Sequence, residues 1–291
     1  MITNFKSAAD FRKSLEARLK NRSTGDNLQR LRRRVAFDRL LARLFSSDEQ
    51  QFFLKGGYAM ELRLKTARAT KDIDLTSLKR TEDSNQLLSS MILEDLRQLA
   101  KQDLGDFFIY QIGEAQLDLD NAPYGGARYP VTSLLDGKVF VRFQLDVGAD
   151  AIVTHTETLQ GTDWLGYCGI PSPIFTMISV EQQFAEKLHA YTLPRQRPNT
   201  RVKDLVDMVL LLKMRSLELA TLEKALQLIF KVRDTHPIPQ QIDPPPLSWN
   251  DPYKELASEC SLTMTLSDAY AEIVNSYSQL HLSGIMASKH L

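Results

Sequence analysis

The spacing of apolar residues divides the chain into a mixed first part and a helical second part. Helical periodicity predicts early helices over residues 7–20, 27–46 and 82–103. Short apolar or alternating runs predict strands at residues 52–54, 72–76, 107–112 and 139–147. Beyond residue 179 the period is helical almost throughout, with helices expected over residues 179–191, 201–215 and 217–232 and two more within residues 251–282. The pattern predicts an α/β (α+β) fold, with a mixed-sheet domain and N-terminal helices over residues 1–175 and a helical C-terminal domain over residues 176–291.

The clearest strand runs from Val139 to Val147. Its odd positions are all apolar, whereas its even positions include Arg142, Gln144 and Asp146. Because side chains alternate between the two faces of a strand, Asp146 is expected on the face opposite the core, near the strand's end.

A glycine pair followed by two aspartates is the first candidate site. The apolar run that ends at Leu54 leads into Gly56-Gly57, and a helix is expected to follow. Glycine lets a backbone approach a phosphate closely, and the N–H groups at the start of a helix favour anions. Asp72 and Asp74 are two residues apart in a predicted strand, so both carboxylates face the same side.

Two carboxylates on one strand face suit Mg²⁺, which prefers oxygen ligands and often links protein carboxylates to substrate phosphates. Asp146 on a neighbouring strand is the candidate third carboxylate for in-line nucleotidyl transfer. Either motif alone is more typical of an ordinary turn or of a solvated strand. The ordered combination of glycine pair, Asp-x-Asp and later aspartate favours nucleotide chemistry.

The second candidate site lies on two later helices. Lys187 flanks the apolar stripe of its helix, and its ammonium could reach a triphosphate. The alternative is a solvent-exposed lysine, which the residue pattern alone favours. Asp204 and Asp207 share one face of the next helix, where Lys203 and Asp207 could also pair with each other. The charged start of this helix is expected to face a cleft between the two domains.

Taken together, these motifs resemble those of a known protein family. The order Gly-Gly, Asp-x-Asp and Asp is similar to the nucleotidyltransferase fold of the DNA polymerase beta superfamily. The segments LKGGYAMELRL and RATKDIDLT resemble more closely the AbiEii/AbiGii toxin family of nucleotidyltransferases, which includes the MenT-type toxins of bacterial toxin–antitoxin pairs. Two further family motifs match, Ala-Glu-Lys-Leu around Lys187 and Arg-x-Lys-Asp-x-x-Asp from Arg201 to Asp207. The resemblance extends from about residue 27 to at least residue 215.

The resemblance implies a toxin that transfers NMP from an NTP to an RNA acceptor, the tRNA 3′ end, and so blocks translation. It implies Mg²⁺ or Mn²⁺ as the cofactor, held by Asp72, Asp74 and Asp146, and a cognate antitoxin as the partner. It also implies that Lys187 contacts nucleotide phosphates and that Asp204 or Asp207 lies in the site. Two alternatives stay open, namely a same-fold enzyme that modifies a protein hydroxyl or a small molecule, and a non-catalytic nucleotide-binding module.

One position departs from the wider superfamily. Tyr58 stands where a serine usually follows the second glycine, which makes Thr70 the candidate for a hydroxyl contact. The full expected nucleotide-binding set is Lys55, Gly56, Gly57, Thr70, Lys187, Arg201 and Lys203.

Charge qualifies the RNA expectation. The chain has 36 Lys and Arg against 36 Asp and Glu, which excludes a uniformly basic coat. The distribution is uneven, however, with a net charge of +6 over residues 1–50 and of −5 over residues 101–160. Two basic groups are candidate RNA-binding surfaces: Arg30, Arg32, Arg33 and Arg34, and a second group of Arg195, Arg197, Arg201 and Lys203.

The number of cysteines and the lengths of the apolar runs indicate the cellular compartment and the class of the protein. Cys168 and Cys260 are the only cysteines, so neither a disulfide framework nor a zinc motif is expected. No apolar run is long enough for a membrane span, and the first residues lack an apolar signal core. We therefore expect a soluble, cytoplasmic protein with no membrane partner.

Overall fold

A computed structural model describes residues 5–23, 27–47, 49–64, 67–79, 81, 85–118, 125–149, 152–196, 198–215 and 217–282. Its helices are α1 (Ala8–Arg22), α2 (Leu28–Leu44), α3 (Gly56–Arg63), α4 (Asn85–Ala100), α5 (Val180–Thr192), α6 (Val202–Met214), α7 (Leu219–Arg233), α8 (Asn250–Glu259) and α9 (Leu266–Leu282). Its strands are β1 (Phe52–Lys55), β2 (Asp72–Ser77), β3 (Phe108–Ile112), β4 (Leu117–Asp118), β5 (Gly126–Leu135), β6 (Lys138–Gly148), β7 (Thr156–Gln160) and β8 (Ile174–Ile178). The predicted α/β class is confirmed.

The chain divides into two compact units. The first consists of Met1–Leu62, Ala69–Ala151 and Thr158–Met177, and it contains the sheet and the early helices. The second consists of Arg63–Arg68, Ile152–Glu157 and Ile178–Leu291, and it contains α5 to α9.

The sheet is mixed, with strand order β3-β5-β6-β2-β1-β8-β7 and with β4 paired to β5. Strand β2 is antiparallel to β1 and parallel to β6. Strands β4, β5, β7 and β8 were not expected from the sequence. Pro130 lies in the middle of β5, where a missing N–H argues against a central strand, and β7 consists largely of polar residues.

Strand β6 follows the predicted alternation only from residue 141 onward. Ser133 pairs with Val141 and Leu134 pairs with Val139, so Phe140 is the extra residue of a bulge. As a result Phe140 is buried and Val139 is 39% exposed, contrary to the expectation that every odd position faces the core. Beyond the bulge the expected phase holds, which leaves Asp146 on the half-buried side.

Much of the N-terminal basic charge is paired within the first unit. Arg39 and Arg43 are buried, and both bind the buried carboxylate of Asp106, at distances of 2.6 Å between the paired atoms. Breaking such a buried pair typically costs several kcal/mol, so these arginines anchor α2 rather than form a binding surface. Other α2 arginines also have partners: Arg32 binds Glu16, and Arg30 and Arg34 share Glu61.

A buried polar cluster links α2, α3 and the loop before β8. The Tyr58 hydroxyl donates to one oxygen of Asp38, and the Trp164 indole N–H donates to the other at 2.7 Å. Complete burial raises the pKa of Asp38 from 3.8 to about 6, although these donors oppose the shift. Tyr58 therefore belongs to the core.

The second unit is built around α5 and α6. Ser179 caps α5 by accepting a hydrogen bond from the Gln182 backbone N–H. The Gln182 side chain binds the backbone of Ile152 and Thr154. Helix α7 packs on α5, and α8 and α9 pack on α6.

Two further expectations concern the cysteines and membrane-spanning helices. Cys168 and Cys260 are both free thiols and buried. Within the described residues, no helix has the length and apolarity that crossing a membrane requires.

Asp38 makes stability depend on pH. Because the folded protein holds a proton on Asp38 up to about pH 6, whereas the unfolded carboxyl releases it near 3.8, the stability of the fold declines as pH rises through this interval. We expect the wild-type protein to lose about 2 kcal/mol relative to Asp38→Asn between pH 4 and pH 7. Urea unfolding of both proteins across that range measures the difference, and a pH-independent difference would contradict the assignment.

Candidate active site

The two central parallel strands bring Asp72, Asp74 and Asp146 together, and we name these three residues the carboxylate cluster. Strand β2 runs parallel to β6 in a register that pairs Asp72 with Gln144 and Asp74 with Asp146. Asp74 and Asp146 are therefore direct neighbours on adjacent strands. Ile73, Leu75, Leu145 and Val147 alternate with them and are buried in the core. This alternation fixes the carboxylates on the opposite face of the sheet.

The glycine pair closes over Asp74. Gly56 begins α3 with φ of 64°, a conformation that favours glycine. A Cβ atom on Gly56 would lie 2.1 Å from an Asp74 carboxylate oxygen, and the Gly57 N–H donates to the same oxygen at 3.3 Å. Lys55 pairs with Asp74 in the β1–β2 register. Gly56 is thus required both by its backbone conformation and by the close approach of Asp74.

Repulsion within the carboxylate cluster affects the pKa of Asp72. Burial raises the pKa of Asp72, and the neighbouring Asp146 carboxylate raises it further. Arg128, on β5, opposes this repulsion. Its Nε and Nη2 each donate to a different oxygen of Asp146 at 2.7 Å. These hydrogen bonds raise the pKa of Arg128, with further contributions from Asp72 and Asp74.

The donor set of the carboxylate cluster fits a hard cation. Mg²⁺ commonly binds one or two protein carboxylates and completes its shell with water and substrate phosphates. Asp72 and Asp74 match that requirement. Within the described ranges, no three Asp, Glu, His or Cys side chains are grouped so that they could hold a metal by themselves. Both oxygens of Asp146 accept hydrogen bonds from Arg128.

The second unit contains a separate charged group, the lysine cluster, which consists of Lys187, Asp204, Asp207 and Arg68. The Lys187 ammonium lies 2.6 Å from Asp207 and 3.4 Å from Asp204. Arg68 binds both oxygens of Asp207, at 3.2 and 3.0 Å. Lys187 is only 8% exposed, so the alternative of a solvent-exposed lysine is wrong.

Charge within the lysine cluster is tightly coupled. Burial acts to lower the pKa of Lys187, but Asp207 and Asp204 outweigh it and raise this pKa. Conversely, burial acts to raise the pKa of Asp207, but Lys187 and Arg68 lower it. Asp207 is fully buried and binds these two cations rather than Lys203, which is exposed. Its contacts orient Lys187 and Arg68.

Other predicted nucleotide-binding residues lie close to these two groups. The Thr70 hydroxyl donates to the backbone oxygen of Asp72 at 3.3 Å. Arg201, at the start of α6, lies 3.5 Å from the Asp204 carboxylate. Arg195 is exposed, and the proximity of Arg201 contributes, after burial, to lowering its pKa. Arg195 and Arg197 were predicted as part of an RNA-binding surface, and Arg197 lies outside the described residues.

Sequence reasoning assigned no role to Arg68 or Arg128. Arg68 opens the RATKDID segment, so its position in the motif was a usable signal. Arg128 is one of only four basic residues in the acidic stretch 101–160. Its contact with Asp146 depends on the β5–β6 register, which pairs these two residues directly.

The requirement for Gly56 can be tested against a matched glycine. Gly137 has nearly the same φ, 66°, but nothing lies within 4 Å of a Cβ atom added there. We expect Gly137→Ala to lower the free energy of unfolding by about 1 kcal/mol, the cost of the left-handed backbone alone. Gly56→Ala should cost at least about twice as much, because the new methyl group also displaces Asp74. Urea unfolding measures both values, and equal losses would show that Asp74 does not constrain this turn.

Comparison with known proteins found a matching family model and similar solved structures. A model of the family described as "Nucleotidyl transferase AbiEii toxin, Type IV TA system" matches residues 39–273. Among solved structures, the chain is similar to MenT4, a nucleotidyltransferase toxin from Mycobacterium tuberculosis H37Rv, with a TM-score of 0.54 and 12% identity, covering 96% of this chain and 99% of that one. It is also similar to JHP933 from Helicobacter pylori, with a TM-score of 0.47 and 15% identity, covering 88% of this chain and 93% of that one. A comparison with curated proteins found no match.

The similarity to MenT4 supports the fold, and the family match covers most of the chain, including every residue of both clusters. The chain therefore belongs to the AbiEii family of nucleotidyltransferase toxins of type IV toxin–antitoxin systems.

Proposed function

We propose that this protein transfers NMP from an NTP to a hydroxyl group of an RNA acceptor, the 3′ end of tRNA, with release of pyrophosphate, and thereby blocks translation. The observation that carries the proposal is the β2–β6 register, which pairs Asp74 with Asp146 while the glycine turn closes on Asp74. This arrangement supports phosphoryl chemistry, because carboxylates beside a glycine-rich helix start suit a nucleotide phosphate and its cation.

The roles of the carboxylates follow from their surroundings. A divalent cation, Mg²⁺ or Mn²⁺, when bound, would neutralise charge on the nucleotide phosphates. Asp72 and Asp74 would hold it, since they project from one face of a rigid strand. Asp146 would be the third carboxylate at the cation and would orient the acceptor hydroxyl. Gly56 and Gly57 would let the backbone approach the triphosphate, because no side chain stands in the way.

The lysine cluster supplies the positive charge that a triphosphate requires. Lys187 would contact nucleotide phosphates, with its ammonium oriented by Asp204 and Asp207. Arg201 and Lys203 would add to the charge. Asp207 would act as a positioning residue, because its oxygens already bind Lys187 and Arg68.

RNA contact is supported in the second unit by exposed positive charge. Arg195 and Arg201 are close enough for each to act on the other, and Lys203 is exposed on the first turn of α6. Repulsion between neighbouring cations favours the binding of an anion such as a backbone phosphate.

In the first unit, the predicted α2 surface is weaker than its composition suggests, since three of its four arginines are paired. A better candidate is a cavity of about 100 Å³ lined by α1 and the loop before β8. There the Arg18 guanidinium lies 3.7 Å from the centre of the Tyr167 ring, and Arg22 lies 5.6 Å from that of Trp164. Arginine and aromatic side chains grouped at one cavity favour phosphates and unpaired bases.

Two partners follow from this proposal and from the family. The type IV toxin–antitoxin family implies a cognate antitoxin protein. The RNA acceptor is specific to our proposal. A protein hydroxyl or a small molecule would use the same carboxylates, and a non-catalytic nucleotide-binding module would need no acceptor.

The direct test is transfer of label from each α-labelled NTP. Wild-type protein with Mg²⁺ is incubated with total tRNA or alone, and we expect label at the tRNA 3′ end. Asp74→Asn should lower the transfer rate by at least about 100-fold, since it removes a charge where the phosphates react. Asp251→Asn, a surface change at the start of α8, is the matched control and should transfer at the wild-type rate.

The alternatives give different results in the same experiment. Label on protein alone would contradict the RNA acceptor and support protein modification. Transfer that is unchanged in Asp74→Asn would contradict the assigned active site. Nucleotide binding without transfer to any acceptor would support a binding module.

A further inference from the structure

The strongest feature outside the proposed catalytic roles is the pairing of Arg128 with Asp146. These residues are cross-strand partners in the antiparallel β5–β6 ladder, which holds their side chains on one face. The guanidinium donates two parallel hydrogen bonds of 2.7 Å, one to each carboxylate oxygen. This bidentate geometry is the strong form of an arginine–carboxylate contact.

The surroundings of Arg128 extend beyond Asp146. Asp72 and Asp74 also stabilise its charged form, so the guanidinium lies within the field of the whole carboxylate cluster. The Arg128 side chain is 36% exposed, whereas that of Asp146 is 14% exposed. The arginine can therefore turn toward solvent, while the carboxylate remains fixed on its strand.

A metal ligand and a bidentate arginine partner make competing demands on Asp146. A carboxylate oxygen that coordinates a cation loses most of its ability to accept a guanidinium N–H, and two cations at one carboxylate repel each other. We propose that Arg128 is the resident counter-cation of the carboxylate cluster, and that a divalent cation engages Asp146 only by displacing its guanidinium. This inference rests on the proposed function, since it requires the carboxylate cluster to bind a divalent cation.

It follows that the carboxylate cluster is stable without a metal ion, and that it binds a metal ion weakly when no nucleotide is present. Arg128 offsets the repulsion among three carboxylates held on two adjacent strands. A cation that arrives with nucleotide phosphates brings more ligands, and the freed guanidinium gains an anionic partner in those phosphates. Arg128 is therefore a positioning residue that sets the affinity of the carboxylate cluster for metal.

The test is Mn²⁺ binding in the absence of nucleotide, measured by titration calorimetry and by the loss of the free Mn²⁺ signal in electron paramagnetic resonance. We expect Arg128→Gln to bind Mn²⁺ about three- to tenfold more tightly than the wild-type protein, the effect of removing a partly exposed bidentate pair. Arg128→Lys keeps the charge but cannot form both hydrogen bonds, so its affinity should lie between the two.

Arg142 provides the matched control. It is an exposed arginine on β6, on the same face as Asp146 and four residues before it. Arg142→Gln removes the same charge, from the strand that carries Asp146, and should leave Mn²⁺ affinity within about twofold of wild type, because an exposed charge at that distance is largely screened.

Thermal unfolding separates this role from a merely structural one. Arg128→Gln should unfold at a lower temperature without metal, and Mn²⁺ should raise its unfolding temperature by more than it raises that of the wild-type protein. A structural role alone would lower the temperature equally with and without Mn²⁺. If Arg128→Gln fails to fold, the Lys variant decides, since wild-type affinity in Arg128→Lys would overturn the inference.

The outcomes also distinguish this inference from the proposed function. Mn²⁺ affinity that is unchanged or weaker in Arg128→Gln overturns the inference, even where Asp74→Asn abolishes nucleotide transfer and the function stands. Tighter Mn²⁺ binding in Arg128→Gln supports the inference, even where labelled NTP gives no transfer and the proposed function fails.

Discussion

Repulsion between carboxylates on adjacent parallel strands is the constraint on which the first unit's chemistry depends. Strand β2 is held between β1 and β6 by buried residues that alternate with Asp72 and Asp74. The hydrophobic core therefore fixes the aspartates beside Asp146, and they cannot move apart without disrupting the sheet. A cation must offset their charge, and in this structure Arg128 supplies it.

The same principle accounts for the distribution of charge along the chain. The excess of basic residues near the N-terminus suggests an RNA-binding surface, yet the buried arginines of α2 bind Asp106 and others bind Glu16 and Glu61. In the second unit, by contrast, Lys187 and Arg68 are held by one buried aspartate, Asp207, beside further cations. Net charge counted over a segment is thus a poor guide to the charge that is available to a ligand.

Parts of the fold and of the candidate site could be predicted from the sequence where residue chemistry and hydrophobic periodicity indicated the same structure. The glycine turn, the Asp-x-Asp strand and the position of Asp146 beyond the bulge follow from local alternation, and the structure brings them together. Four strands were missed: β4 has only two residues, Pro130 interrupts β5, β7 is polar, and β8 is a short apolar run. Arg128 could not be found, since its contact depends on a register that a bulge at Phe140 shifts. The burial of Lys187 was missed because a lysine on an amphipathic helix is usually exposed.

We expect a divalent cation and a nucleotide to bind at the carboxylate cluster and to replace Arg128 as its counter-charge. The most direct measurement is a crystal structure of the protein with Mn²⁺ and a non-hydrolysable NTP analogue, with the metal located by its anomalous scattering. We expect an anomalous peak bound by Asp72 and Asp74, with Asp146 separated from the Arg128 guanidinium. A Mn²⁺ peak remote from these aspartates, or an intact Arg128–Asp146 pair beside a bound metal, would contradict it.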